Sequence, residues 1–262
     1  MKRASPQLRT HGPFRADQLR PGDPYELSNG HPVQCLPTGG RGSQAVNVGG
    51  SVLASDPAVE NVGVDTGFSP SPDVLRAPDL AVGEIPDEPG WVQGTPPLAV
   101  EYADTGQDED DLPIKIRELL AAGTRYVWVV RLTGPRRVEI HQPGREMHIA
   151  RPGEQLEAPG ILANPVPVEA LYDREAGRQV IFRNLLQREG YASLDAVRAE
   201  AESRAELRGL RQAVVDVLTA RGFEVGEDLQ VALARCDDPI LLRSAHLKAA
   251  TTAVVADVLA VF

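Results

Sequence analysis

The chain has 262 residues, 42% of them hydrophobic and 24% charged, which is typical of a globular protein. This length suits one sizeable domain with an extension, or two small domains. The net charge of −10, from 27 basic and 37 acidic residues, argues against broad non-specific affinity for nucleic acid.

The predicted compartment follows from three further features. No run of 18 apolar residues occurs, so we expect no transmembrane helix and no membrane partner. The first residues, M-K-R-A-S-P, lack the apolar stretch of a secretory signal. Cys35 and Cys236 are far apart and suggest neither a disulfide framework nor a zinc cluster. We therefore expect a cytoplasmic protein, with residues 1–13 mobile.

The first predicted element is a β-hairpin. Residues 25–27 and 32–36 are strand-like, and they flank Asn29-Gly30, a dipeptide typical of a type I′ turn. Residues 39–43, G-G-R-G-S, lack the lysine and following Ser/Thr of a P-loop. We predict a flexible turn there.

The next stretch is ambiguous. Residues 44–54 could form a helix, but Gly49-Gly50 disfavours one. Residues 61–68 predict a strand, and residues 69–72, S-P-S-P, predict a loop.

Two predicted strands then carry one acid each. In P-D-L-A-V-G, Asp79 shares a face with Ala81 and Gly83. In P-L-A-V-E-Y, Glu101 shares a face with Ala99, opposite the larger apolar side chains. An acid inside an apolar strand is costly to bury unless a cation or a hydrogen-bond donor meets it.

A helix is predicted after the second strand. Its apolar positions repeat at helical spacing and are Leu112, Ile116, Leu119 and Leu120. Acidic residues 108–111 and Pro113 suit its start, and Gly123 suits its end. Lys115 lies beside the apolar stripe, and its long stem could carry the ammonium group to Glu101.

These residues form a chemically sensible metal site. The carboxylates of Asp79 and Glu101 suit Mg²⁺ or Mn²⁺, and Lys115 could orient a water or stabilise developing negative charge. Simpler readings stay open. Asp79 could only cap a turn, and Lys115 could be a solvated residue paired with Asp111 and Glu118.

The ordered motifs carry a family resemblance. Pro78-Asp79 followed by Glu101 resembles the PD-(D/E)xK nuclease motif, although Ala103 stands where the lysine is usual. The segment D-L-P-I-K at 111–115, followed by A-G-T-R-Y-V-W-V-V, is similar to the Uma-type family, which is classed with restriction endonucleases and carries the lysine on the next helix. The resemblance covers about residues 14–150.

The resemblance implies an α/β fold, a restriction-endonuclease-like mixed sheet flanked by helices. It also implies hydrolysis of DNA phosphodiesters with Mg²⁺ or Mn²⁺. Asp79 and Glu101 would bind the metal, Lys115 would position the attacking water, and Glu26 would be an auxiliary acid near the metal. Asp111 would orient Lys115. The loop at 103–107 and the segment at 39–43 depart from the family pattern.

The composition changes after Pro167, where glycine and proline become rare. We predict helices at 193–220, 228–235 and 238–262, which make an all-helical C-terminal extension. The predicted division is thus 1–13, 14–167 and 168–262. Residues 207–262 loosely resemble the C-terminal tail of Rpn-type transposase-nucleases.

Two functions remain open on the sequence. The first is a metal-dependent endonuclease acting on DNA, whose helical segment completes the core or makes a homo-oligomer. The second is a catalytically inactive nuclease fold that acts as a scaffold, docking a protein partner through residues 193–262.

Overall fold

A computed structural model describes residues 12–105 and 110–262. Most of the predicted mobile segment 1–13 therefore lies outside the described residues. Two compact units meet at Glu189/Gly190 in the chain. This division differs from the change in composition at Pro167, because the helix that follows Pro167 packs within the first unit. The domain boundaries predicted from composition stay a prediction.

The strands of the first unit are β1 Tyr25–Ser28, β2 His31–Gln34, β3 Val62–Val64, β4 Phe68–Ser71, β5 Val74–Arg76, β6 Leu80–Val82, β7 Val92–Gln93, β8 Leu98–Ala103, β9 Tyr126–Arg131, β10 Arg137–His141, β11 His148–Ala150, β12 Gln155–Leu156 and β13 Val166–Pro167. Its α-helices are α1 Gly40–Ser55, α2 Leu112–Ala122 and α3 Arg174–Arg188. Short 3₁₀ helices occupy Ala16–Gln18 and Val168–Leu171.

The strands form two large sheets. One has six strands in the order β11-β10-β9-β8-β6-β3, in which only β8 and β9 run parallel. The other has the order β2-β1-β5-β4-β7, and β12 pairs with β13 separately. A mixed sheet flanked by helices is confirmed.

Helices cover both faces of the six-stranded sheet. The alternation predicted for β8 is confirmed, because Leu98, Val100 and Tyr102 lie in the core formed with α1 and α3. Ala99 and Ala103 lie instead in the smaller core beneath α2. Glu101 therefore faces α2, whose predicted stripe and terminal Gly123 (φ +118°) are also confirmed.

The expectation of a turn at 39–43 is wrong, because α1 begins at Gly40 and continues through the ambiguous stretch. Gly49 has a packing role that explains its presence in a helix. A Cβ atom there would lie 1.9 Å from the Tyr102 hydroxyl oxygen. The glycine thus lets α1 approach β8 closely, and tertiary packing outweighs its low helix propensity.

The strand predicted at 61–68 is in fact two strands in different sheets, β3 and β4. Asp65 interrupts them with a left-handed backbone (φ +49°), which an aspartate tolerates better than most residues. The predicted loop at 69–72 mostly belongs to β4, where Pro70 is compatible with the short, irregular pairing to β5.

The second unit contains α4 Leu194–Ala220, α5 Glu227–Arg235, α6 Pro239–Thr251 and α7 Ala256–Leu259. The predicted stripe of α4 is confirmed, with Val214 and Leu218 fully buried. The predicted end of the last helix, at residue 262, is wrong. The helix ends at Thr251, because Thr252 adopts an extended backbone and its hydroxyl makes local hydrogen bonds with Val254 and Asp257. Among the described helices, none has the length and apolar character that a bilayer crossing needs.

Candidate active site

The predicted site residues meet where the two large sheets and α2 adjoin. Glu101 lies on β8 in the middle of the six-stranded sheet, and its side chain is 4% exposed. Glu26 lies on β1 of the other sheet and is also buried. Lys115, in the first turn and a half of α2, reaches both acids from above the six-stranded sheet.

Lys115 is held by three acceptors. Its Nζ lies 2.8 Å from Glu101 Oε1, 2.9 Å from Glu26 Oε1 and 2.8 Å from the Ala77 carbonyl oxygen, to which it donates. The contact with Ala77 is a hydrogen bond, and the two contacts with the carboxylates are ion pairs. Among the described atoms, Glu101 Oε1 has no well-aligned hydrogen-bond donor, so its contact with Lys115 is electrostatic. The reading of Lys115 as a solvated residue paired with Asp111 and Glu118 is therefore wrong.

Asp79 lies immediately before β6. Leu80 pairs with Val100, so extending this antiparallel register by one residue places Asp79 opposite Glu101. Its Oδ2 accepts a 2.6 Å hydrogen bond from the Tyr102 backbone N–H. The carboxylate thus has a specific partner on β8, which a simple turn cap would not require.

The sequence reasoning missed one charged residue of this network. Arg76, at the end of β5, is fully buried, and its Nη1 donates to Glu26 Oε2 at 3.0 Å. Its Nε donates to Glu118 Oε2 on α2 at 2.6 Å. Glu118 also accepts from the Ser28 hydroxyl at 2.6 Å. An arginine in the apolar run V-L-R-A-P, three residues before Asp79, was the available signal.

The structure also shows the contacts of Glu26 and Asp111, the two auxiliary acids of the predicted site. Both Glu26 oxygens already bond within the protein, one to Arg76 and the other to Lys115 and the Ala77 N–H. Asp111 is the N-cap residue of α2 but makes no side-chain capping bond. Of the predicted acidic start of α2, residues 108 and 109 lie outside the described part of the chain.

Burial and charge shift the pKa values of the acids in opposite directions. Burial, helped by the nearby Asp79 and Glu26, raises the pKa of Glu101 to about 8 against the opposing influence of Lys115. Burial likewise raises the pKa of Asp79, although Lys115 and the Tyr102 N–H oppose the shift. Burial would also raise the pKa of Glu26, but the positive charges of Lys115 and Arg76 outweigh burial and hold this pKa below its usual value.

Lys115 stays protonated in this setting. Burial alone would lower its pKa, but the nearby Glu101, Glu26 and Asp79 outweigh burial and raise it. The side chain is therefore a hydrogen-bond donor and a fixed positive charge at neutral pH, and it is not a proton acceptor.

The charge balance of the cluster fits a divalent cation. Among the described residues, four carboxylates, those of Glu26, Asp79, Glu101 and Glu118, adjoin two cations, Arg76 and Lys115. Buried negative charge without compensation is unfavourable, and the raised pKa of Glu101 reflects this. Asp79 and Glu101 are the acids that Arg76 does not hold, so these two are the candidate ligands.

The site is not a complete protein cage for a metal. Across residues 12–105 and 110–262, no group of three or more His, Cys, Asp or Glu side chains is arranged to hold an ion. Mg²⁺ commonly takes only one or two carboxylates and completes its shell with water and substrate phosphate. Two acids beside a lysine suit this mode, and Asp79, Glu101, Lys115 and Glu26 remain predicted site residues.

The chain resembles a known protein family and a solved structure. The family model Uma2, described as "Putative restriction endonuclease", matches residues 14–169. Among solved structures, the chain is similar to a protein from Anabaena variabilis ATCC 29413 described as "a putative nuclease belonging to DUF820", with 19% sequence identity and a TM-score of 0.53. The match covers 62% of this chain and 98% of that chain. No curated protein matches the chain.

Proposed function

Because the chain belongs to the Uma2 family of restriction-endonuclease-like proteins, we propose that it is a metal-dependent endonuclease that hydrolyses DNA phosphodiesters. The observation that carries the proposal is the contact of Lys115 with Glu101, beside Asp79, at the junction of two sheets. We also propose a cytoplasmic location, which is consistent with a DNA substrate.

Asp79 and Glu101 would hold Mg²⁺ or Mn²⁺. Such an ion supplies charge neutralisation at a phosphate oxygen and a nucleophile at neutral pH. Lys115 donates towards the reacting phosphate or water, where its positive charge stabilises the transition state. Since three oxygen atoms lie within 3 Å of its Nζ in this structure, one of them must move away when substrate binds. Glu101 is that acceptor in our proposal, and Glu26 keeps Lys115 in place.

The test is cleavage of supercoiled plasmid with Mg²⁺, Mn²⁺ or EDTA, combined with calorimetric titration of Mn²⁺. We expect cleavage only with metal, and we expect Asp79→Asn to weaken Mn²⁺ binding by at least about tenfold, because one of two protein ligands loses its charge. Asp65→Asn is the matched control, since Asp65 lies near Asp79 but is not a proposed ligand. Equal Mn²⁺ affinity in wild type and Asp79→Asn would contradict the proposal.

We also propose that residues 193–262 form a homo-oligomer. On α6, Ile240 and Leu247 are 69% and 70% exposed and lie on the same helix face, seven residues apart. These two side chains on one face are the basis of the proposal, since a larger apolar patch built around them would form an interaction surface. The competing hypothesis is a scaffold in which this segment docks another protein.

Light scattering on the full-length chain separates these two possibilities. We expect an oligomer for wild type and a monomer for Ile240→Glu/Leu247→Glu, because burying two carboxylates in an interface is unfavourable. The double variant Ser203→Glu/Ala220→Glu, at exposed positions of α4, adds the same charge and should leave the mass unchanged. A monomeric wild type would favour the scaffold hypothesis instead.

A further inference from the structure

The charged network around Lys115 extends beyond the residues assigned to metal and substrate. Arg76 is the largest charged side chain among the fully buried residues, with 1% of its side chain exposed. Removing a guanidinium group from water is costly, so its presence requires compensation by its partners. Its partners are two acids from different elements, Glu26 on β1 and Glu118 on α2.

The geometry of these two ion pairs has a direct link to Lys115. Glu26 has two oxygens, and Arg76 binds Oε2 while Lys115 binds Oε1. Arg76 thereby fixes the rotation of the Glu26 carboxylate and the direction in which Oε1 points. The Ala77 N–H supports the same oxygen at 3.2 Å, and the Ala77 carbonyl accepts from Lys115.

The second ion pair fixes α2 relative to the five-stranded sheet. Glu118 lies three residues after Lys115 on α2, and it binds both Arg76 on β5 and Ser28 on β1. Arg76 therefore ties the sheet that carries Glu26 to the helix that carries Lys115. The fork of a guanidinium group can hold two carboxylates in fixed directions, which a lysine cannot do.

We infer that Arg76 is a positioning residue for the Lys115 ammonium group, acting through Glu26 and Glu118. This inference rests on the proposed nuclease function for its catalytic consequence but not for its geometric content. Arg76 touches neither of the proposed metal ligands in the described contacts, so its loss should impair turnover while leaving the affinity for Mn²⁺ unchanged.

The experiment compares Arg76→Met, which removes the fork, with Arg76→Lys, which keeps the charge, in the full-length chain. In wild type, a Lys115 ammonium that is mostly buried, donates to the Ala77 carbonyl and is ion-paired with two acids should give a slowly exchanging ¹⁵Nζ signal, assigned by its loss in Lys115→Arg. We expect both Arg76 variants to lose this signal and to lower kcat about 10- to 100-fold, as for removal of residues that orient catalytic groups, with little change in KM or Mn²⁺ affinity. Arg117→Met, at an exposed position on α2, is the control and should match wild type in every measurement.

An ammonium signal retained in Arg76→Met together with wild-type kcat would overturn the inference. If Arg76→Met does not fold, Arg76→Lys and Glu118→Gln decide the question by the same signal. If wild type cleaves no DNA, the nuclease proposal fails, yet the ammonium signal still tests whether Arg76 positions Lys115. A general loss of structure would also weaken Mn²⁺ binding, which distinguishes it from mispositioning.

Discussion

Replacing Lys115 with methionine is expected to lower the rate of plasmid cleavage at least about 100-fold, the effect of removing one preorganised electrostatic donor from an active site. Methionine keeps most of the apolar stem but removes the charge that contacts Glu101 and Glu26. The measurement is the initial rate at saturating Mg²⁺ and several DNA concentrations, which separates kcat from KM.

The fold should survive this substitution well enough for the rate to be interpreted. Loss of Lys115 removes a cation from two acids, but Arg76 still pairs with Glu26, and Glu101 can take up a proton because its buried setting already raises its pKa to about 8. Circular dichroism gives the folded fraction, and Lys115→Arg is the control that keeps the charge. Equal cleavage rates for wild type and folded Lys115→Met would contradict the proposed catalytic role of Lys115.

Glu101→Gln is expected to abolish cleavage while changing how the stability of the metal-free protein depends on pH. The folded carboxyl group titrates near pH 8 and the unfolded one near 4.5. Between these values the unfolded chain releases the proton and the folded chain keeps it. The free energy of unfolding contributed by Glu101 therefore falls as pH rises from about 4.5 to about 8. Glutamine has no proton to release, so the variant lacks this contribution.

Urea unfolding at pH 5, 6, 7 and 8 in EDTA measures this difference. The chain has two tryptophans, Trp91 and Trp128, and both lie in the first unit, so their fluorescence follows the unit that holds the site. The stability of wild type minus that of Glu101→Gln should fall steadily over the window. At pH 8, Mg²⁺ should raise the wild-type midpoint and leave the variant nearly unchanged. A constant difference between the two proteins would refute this account of Glu101.

Local periodicity was enough to predict the part of the site carried by neighbouring elements. Alternation on β8 assigned Glu101 to one face, and the helical spacing of α2 placed Lys115 beside the stripe that covers that face. The turn at Asn29-Gly30 was equally local, and both residues have the positive φ values that a type I′ turn requires.

The remaining part depended on contacts between distant segments. Arg76 and Glu26 are 50 residues apart, and no periodic pattern indicates that β1 and β5 are neighbours. Gly49-Gly50 left the helix at 44–54 ambiguous, because the close approach of Tyr102 that favours Gly49 is visible only in three dimensions. At this position tertiary packing outweighs the low helix propensity of glycine.

Tyr102 connects the two faces of the central sheet. Its backbone N–H holds Asp79 on the side of the site, while its hydroxyl donates to the Leu171 carbonyl at 3.0 Å, beside Gly49 on the other side. A larger residue at position 49 would displace this tyrosine and, through its main chain, Asp79, the proposed metal ligand. Under the proposed nuclease function, a genetic screen would score such a substitution among the active-site defects, although it lies on the opposite side of the sheet.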